Sequence, residues 1–355
     1  MNKYWSRRLD GIEAYTPGEQ PKIPGLIKLN TNENPYDPSP KALAALASAA
    51  TADMRLYPDP DAHALRDVLA ETHGLAPDQI FVGNGSDEVL AFSFLAFFDA
   101  GRPLLFPDIT YSFYPVYGDF FGIDYERVPL DADFQIPVSR FCRTSGGVIF
   151  PNPNAPTGIA LPLVDVERIV AADPDRVVIV DEAYVDFGAD SAVELIRRYP
   201  NVLVIQTLSK YRALAGLRLG WAMGDRGLVE ALACVKNCIN SYTIDRAAQA
   251  AAAAAVSDRA YYEETAQKII ATRERTAAAL RSLNVHVLPS SANFLFAAPP
   301  DGRGEEVFQK LRERKILVRY FQKPRISRFL RITIGTDQEM DVLLAALEEI
   351  LESPR

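Results

Sequence analysis

Lys210 closes the run Thr207-Leu208-Ser209-Lys210, directly behind two hydroxyl side chains, and Arg218 follows it eight positions later. Taken alone, a lysine so placed belongs to a solvated helix face. Residues elsewhere in the chain give it another meaning. Asp181 ends the apolar run Val178-Ile179-Val180, and Tyr184 comes three positions on, so both side chains can reach one mouth of a sheet. An acid and a lysine brought together make a plain ion pair. Two more pieces argue for more than that. Gly83-Asn84-Gly85-Ser86-Asp87 opens a helical pattern, and the first backbone N–H groups of a helix lack intrahelical acceptors and suit a phosphate. The turn PNPNAPTG presents Asn154, and Tyr111 supplies an aromatic face. A phosphate cradle, a carboxylate, a phenol, an amide and an amine together describe a holder for pyridoxal phosphate.

These residues need elements to carry them. RPLLF, GVIF, RVVIVD and NVLVIQT are continuous apolar runs ended by polar residues or proline, and helical patterns near 62–72 and 163–172 separate them. Such runs predict buried parallel strands in an α/β sheet, with ligands at the carboxyl ends of the strands. Residues 1–40, rich in Pro, Asn and Gly, read as an extended arm closing over something else, and 41–250 as a large α/β domain. Residues 251–355 read as a small C-terminal domain in which VHVLPS, NFLFAA, ILVRY and FLRITIG alternate with helices at 303–314 and 337–352. An alanine-rich helical region from about 243 to 282 bridges the two. With 355 residues, 48% hydrophobic and 24% charged, the chain can bury a large core. A formal net charge of -8 argues against a nucleic-acid surface but leaves room for local basic pockets. The N-terminus lacks the apolar core of a signal peptide and no apolar run is long enough to span a bilayer, so a cytoplasmic location without membrane partners is expected. Cys142, Cys234 and Cys238 form an odd set with no CxxC pair, which fits reduced thiols better than a disulfide frame or a metal site. Cys234 and Cys238 are expected in the core on one helical face.

The segments YTPGEQP, IKLNTNENPYDPSP, LYPDP, GNGSDE, PNPNAPTG, VDEAY, TLSKYRALAGLRLG and LRITIG run in this order from residue 15 to residue 335. Together they resemble the fold type I aminotransferases, and specifically the histidinol-phosphate aminotransferase family, over nearly the whole chain. The resemblance implies transamination between histidinol phosphate and 2-oxoglutarate, giving imidazole acetol phosphate and glutamate, in a homodimer with shared active sites. It implies that Lys210 carries the cofactor as a Schiff base and later moves a proton. An amine can do both once a confined cationic site lowers its pKa. Asp181 is then the partner of the pyridine nitrogen, Asn154 and Tyr184 hold the ring hydroxyl oxygen, and Tyr111 stacks on the ring. The backbone of Ser86 and Asp87, with Thr207, Ser209 and Arg218, holds the cofactor phosphate, completed by Tyr57 of the neighbouring subunit. Arg331 binds the substrate's anion, and Tyr15 and Asn32 close the site from the arm.

Two positions depart from the family pattern. Ala155 stands where many relatives have Asn, leaving Asn154 as the candidate amide. Val342 stands where many have an arginine, eleven positions after Arg331, which removes a cation from the anion pocket unless Arg319 or Arg325 replaces it. An aromatic aminotransferase or a phosphothreonine decarboxylase-like enzyme shares nearly all the cofactor residues. A nicotinamide enzyme fits less well, because GNGSDE lacks the third glycine of GxGxxG. A non-catalytic regulator of this fold would need a DNA-binding segment that is not seen.

Overall fold

The computed structural model describes residues 3–144 and 146–352. Twelve strands form two sheets among these residues. In chain order they are β1 (Ile27–Leu29), β2 (Ile80–Gly83), β3 (Leu104–Pro107), β4 (Tyr125–Val128), β5 (Val148–Pro151), β6 (Val178–Asp181) and β7 (Val202–Thr207). They continue with β8 (Gly220–Gly224), β9 (His286–Val287), β10 (Phe294–Ala298), β11 (Ile316–Tyr320) and β12 (Leu330–Thr333).

The larger sheet has the order β2-β8-β7-β6-β5-β3-β4. Strands β7, β6, β5, β3 and β4 are mutually parallel, and β8 runs against both of its neighbours. The expected parallel core is therefore present. Every residue of β3, β5, β6 and β7 is buried, as continuous Val, Ile, Leu and Phe runs require when helices cover both faces of a sheet. The strand order brings the ends of β5, β6 and β7 to one edge, with Pro151 paired to Asp181 and Asp181 to Ile205.

The smaller sheet has the order β1-β11-β12-β10-β9. Its first strand comes from the N-terminal arm, which pairs parallel to β11 through Ile27, Lys28 and Leu29. The arm is thus partly woven into this sheet. Beyond β1 the chain crosses to the larger sheet, where the Asn34 amide donates to the Lys210 and Tyr211 carbonyls at 3.1 Å.

The alanine-rich region is two helices, Arg246–Ser257 and Arg259–Ser282, rather than one. Asp258 leaves helical geometry between them and its carboxylate accepts from the Ser39 hydroxyl and the Lys41 ammonium. Ala251, Ala252 and Ala255 face inward, and their small side chains let the helix Pro40–Ala49 pack closely. The two cysteines expected in the core are exposed. The helix Arg226–Ile239 turns Val229, Leu232 and Lys236 inward instead, and the Lys236 ammonium is satisfied by the Pro60 carbonyl at 2.7 Å. No helix among the described residues is long and apolar enough to cross a membrane.

Candidate active site

A cleft of about 390 Å³ opens at the carboxyl edge of the larger sheet. Asp181, Tyr184, Thr207, Ser209, Lys210 and Arg218 line it from that sheet, Ser86, Asp87 and Tyr111 from neighbouring helix starts, Tyr15 and Asn32 from the arm, and Arg319 and Arg331 from the smaller sheet. Thirteen of the fifteen residues singled out from the sequence thus meet in one place; Asn154 and Tyr57 do not.

At the end of β6, Asp181 is buried. Its Oδ2 accepts from the Tyr114 hydroxyl at 2.9 Å, while Oδ1 is buried with no partner. Burial raises its pKa to about 6; the Tyr114 hydrogen bond and the Ala183 backbone N–H oppose the rise, and Asp87 adds to it. A buried carboxylate oxygen without a donor is costly, and it suits a cationic N–H brought in by a ligand.

Lys210 follows β7, and its ammonium donates to the Thr31 carbonyl at 3.0 Å. Burial lowers its pKa to about 8, with Arg331 and Arg218 adding to the fall while Glu33 and Asp87 resist it. About a tenth of the amine is then neutral at pH 7, far more than for an ordinary lysine, and nucleophilic or basic work uses that form.

The anion cradle forms where β8 passes the helix Gly85–Phe97. Asn84 gives this helix no side-chain cap, so its first N–H groups stay available. The approach is close: a Cβ on Gly220 would lie 2.4 Å from the Ser86 nitrogen, and one on Gly85, at φ +79°, would lie 2.7 Å from the Arg218 guanidinium. Arg218 itself has φ +52°, a strained value for a residue with a side chain, and reaches Asp87 Oδ2 at 3.2 Å. Tyr111 donates to the other Asp87 oxygen at 2.7 Å. The Thr207 hydroxyl lies 3.0 Å from the Ser209 hydroxyl. Free N–H groups, two hydroxyls and a guanidinium at one helix start suit an anion such as a phosphate.

A second cationic region comes from the smaller sheet. Arg331 and Arg319 are directly paired across β12 and β11. Arg331 donates to the Asn30 carbonyl at 2.9 Å, its Nε has no partner, and its guanidinium packs over the Phe294 and Phe321 rings at 5.5 and 5.7 Å. Tyr15 stacks on Phe113 with ring centroids 4.2 Å apart. Arg325 is not part of this set; it reaches Asp108 at 3.2 Å and the Leu130 and Asp131 carbonyls. Val342 is exposed on the last helix and does not line the cleft.

Tyr184 and Asn32 are joined, the Asn32 amide donating to the tyrosine oxygen at 2.9 Å. Asn32 has φ +56°, and its Oδ1 accepts from the Thr333 hydroxyl at 3.0 Å. Asn154 departs from expectation. Its amide nitrogen donates to the Ile109 carbonyl and the Thr157 hydroxyl, at 3.0 and 3.1 Å, beneath the cleft floor, and Ala155 takes the lining position. Tyr57 is 77% exposed and stacks on Tyr242. Sequence reasoning missed Tyr114, Thr333 and Glu33; the spacing of three in Tyr111, Tyr114 and Tyr117 was the available signal for the first.

The aminotransferase class I and II family model matches residues 24–347. Histidinol-phosphate aminotransferase 1 of Bordetella parapertussis is 56% identical over 99% of this chain and 100% of that protein. Histidinol-phosphate aminotransferase 2 of Rhizobium meliloti is 55% identical, again over 99% and 100%. Among solved structures, the histidinol-phosphate aminotransferase of Sinorhizobium meliloti in complex with pyridoxal-5'-phosphate superposes with a TM-score of 0.83 at 28% identity, over 92% of this chain and 90% of that one. With the cleft built as it is, the chain belongs to the class I and II aminotransferases, in the histidinol-phosphate aminotransferase family.

Proposed function

We propose that this protein is a pyridoxal-phosphate-dependent histidinol-phosphate aminotransferase, with 2-oxoglutarate as amino acceptor and glutamate as product. The observation that carries the reading is one cleft with two separate guanidinium sites acting on one lysine. Arg218 lies at a helix start and Arg331 on the smaller sheet, and both depress the Lys210 pKa. One site suits a cofactor phosphate, the other the anion that both substrates carry, a phosphate ester in one half-reaction and a carboxylate in the other. A guanidinium fork accommodates both.

The residues present fit the cofactor. Ser86 and Asp87 backbone N–H groups, Thr207, Ser209 and Arg218 would hold its phosphate, Asp181 Oδ1 its ring nitrogen, Tyr184 its ring oxygen, and Tyr111 its face. Bound there, pyridoxal phosphate supplies an electron-withdrawing ring that takes up the electron pair left by deprotonation of the amino-bearing carbon. Lys210 Nζ, partly neutral near pH 7, takes that proton and returns it. Asp181, ionised and with no side-chain donor on Oδ1, would keep the ring nitrogen cationic. Tyr15 and Asn32, on the arm, cover the substrate and exclude water.

Exposed Met54, Leu56 and Tyr57, with Tyr242 stacked on Tyr57, support a homodimer in which Tyr57 reaches the neighbouring subunit's phosphate cradle. Three cysteines without disulfides support a reducing, cytoplasmic setting. Residues 1–40, 41–250 and 251–355 act as arm, cofactor domain and closing domain. Turnover of histidinol phosphate, phenylalanine and tyrosine with 2-oxoglutarate tests the substrate class. Histidinol phosphate is expected to have the highest kcat/KM; a preference for an aromatic amino acid would overturn the reading.

A further inference from the structure

The helix Phe113–Phe121 and the turn before it send three tyrosine hydroxyls toward the two carboxylate residues nearest the cleft floor. Tyr111 donates to the Asp87 carboxylate at 2.7 Å, Tyr117 to the Asp87 backbone carbonyl at 2.9 Å, and Tyr114 to Asp181 Oδ2 at 2.9 Å. Of these, Tyr114 is wholly buried, at 0% exposure, wedged edge-on against Phe106. A buried tyrosine needs a partner for its hydroxyl, and here that partner is a carboxylate that has one oxygen left over.

We infer that Tyr114 is a positioning residue for transamination: its hydroxyl ties down one oxygen of Asp181, fixing the carboxylate's rotation and leaving the other oxygen for the cofactor's ring nitrogen. This rests on the proposed role of Asp181. The titratable groups facing Asp181 are Tyr114 and Tyr117 from the helix Phe113–Phe121, Asp87 from the helix Gly85–Phe97, and Tyr184 from the turn after β6. Tyr114 is the one side-chain donor to the carboxylate among them. Its hydrogen bond, with the Ala183 backbone N–H, favours the ionised carboxylate against the burial that disfavours it. Without it, the proton shared between ring nitrogen and carboxylate moves toward the carboxylate. The ring then loses the charge that makes it an electron sink, while substrate binding at Arg331 is untouched.

The test uses holoenzyme loaded with cofactor labelled with nitrogen-15 at the ring. In Tyr114→Phe the ring-nitrogen resonance is expected to move from the protonated toward the free-base value. Turnover should drop about tenfold, the loss of one hydrogen bond to a charged acceptor, with KM within about twofold. The cofactor dissociation constant should rise several-fold. Tyr117→Phe removes a neighbouring hydroxyl but not the donor to Asp181, and should leave the resonance in place. An unchanged resonance in Tyr114→Phe, or an equal shift in both variants, overturns the proposal. Should Tyr114→Phe fail to fold, difluorotyrosine at position 114, a stronger donor of nearly the same shape, should strengthen the protonated signal, and a shift the other way overturns the proposal. Asp181→Asn separates the two readings. If it leaves the resonance unchanged, the role of Asp181 itself is wrong; if it shifts the resonance while Tyr114→Phe does not, only the role of Tyr114 is wrong.

Discussion

Arg331→Leu asks whether the smaller sheet supplies the substrate's anion site. The guanidinium spends one N–H on the Asn30 carbonyl, keeps Nε without a partner, and is held over Phe294 and Phe321. It is therefore pre-set to receive an oxyanion with little further loss of side-chain freedom. A charge-assisted hydrogen bond is worth about 1.5–3 kcal/mol, and about 1.4 kcal/mol is a factor of ten, so kcat/KM should fall roughly 10- to 150-fold. Arg319 stays beside the vacated position across the strand pair and still attracts the anion, which favours the lower half of that range. The fall should appear for histidinol phosphate and for glutamate alike, measured as separate half-reactions, because one site serves both. The cofactor's visible band should persist, since the proposed holder of its phosphate is Arg218. Thermal stability should change little, because leucine removes the burial cost of the charged guanidinium but leaves the Asn30 carbonyl without its donor. A change below about threefold for both donors would refute the assignment, at odds with the bond energy used. Loss of the visible band would put Arg331 in the cofactor's site instead.

Three further expectations follow from the geometry. Lys210→Met should lose turnover by orders of magnitude yet stabilise the cofactor-free chain at neutral pH. The folded pKa of Lys210, about 8, lies below its ordinary 10.5, so its ionised form weakens the fold below about pH 8 and this cost vanishes as pH rises through 10.5. Urea unfolding should show a gain on the order of 3 kcal/mol at neutral pH and almost none near the ordinary lysine pKa; equal stability at both would contradict a desolvated amine. Asn154→Ala should cost about 1–3 kcal/mol of stability through the stranded Ile109 carbonyl, with the cofactor's ring chemistry little changed; normal stability with a shifted cofactor spectrum would return Asn154 to the cleft. Tyr57→Ala and Lys210→Ala subunits, each inactive alone, should recover activity when mixed, because a mixed dimer holds one site with both residues intact; no recovery despite proven exchange would confine Tyr57 to its own subunit.

The chemistry of the cleft was legible because few residue types can perform it, and each stood at the end of a run whose composition predicts a buried strand. Asp181 and Thr207 close β6 and β7, and the parallel register alone then carries them to one edge. β8 was not legible. Its sequence Gly-Trp-Ala-Met-Gly holds two glycines that weaken any strand signal, and Gly220 is there because a Cβ would strike the Ser86 nitrogen. The same contact that hides the strand brings it against the helix start proposed to hold the phosphate. The inward stripe of Arg226–Ile239 was obscured by Lys236, a core-facing lysine whose partners at Pro60 and Asp61 lie far away in sequence.

Asn154 and Ala155 show where residue type stops being informative. The turn closes with the Asn154 N–H donating to the Ile159 carbonyl and the Gly158 N–H to the Asn154 carbonyl, at 2.8 and 2.7 Å. That closure directs the Asn154 amide to the Ile109 carbonyl and leaves the next residue facing the cleft. Two adjacent positions in one turn thus exchange floor and lining without any change in composition. An alanine at the lining position offers no side-chain donor there, so Tyr184, the partner proposed for the ring oxygen, depends the more on its own support. That support is Asn32, held in a strained backbone conformation and oriented by Thr333 from β12. The smaller sheet thereby reaches the cleft by two routes, Arg331 directly and Thr333 through Asn32 toward Tyr184. A movement of that sheet would alter both together, which no single segment of the sequence could have disclosed.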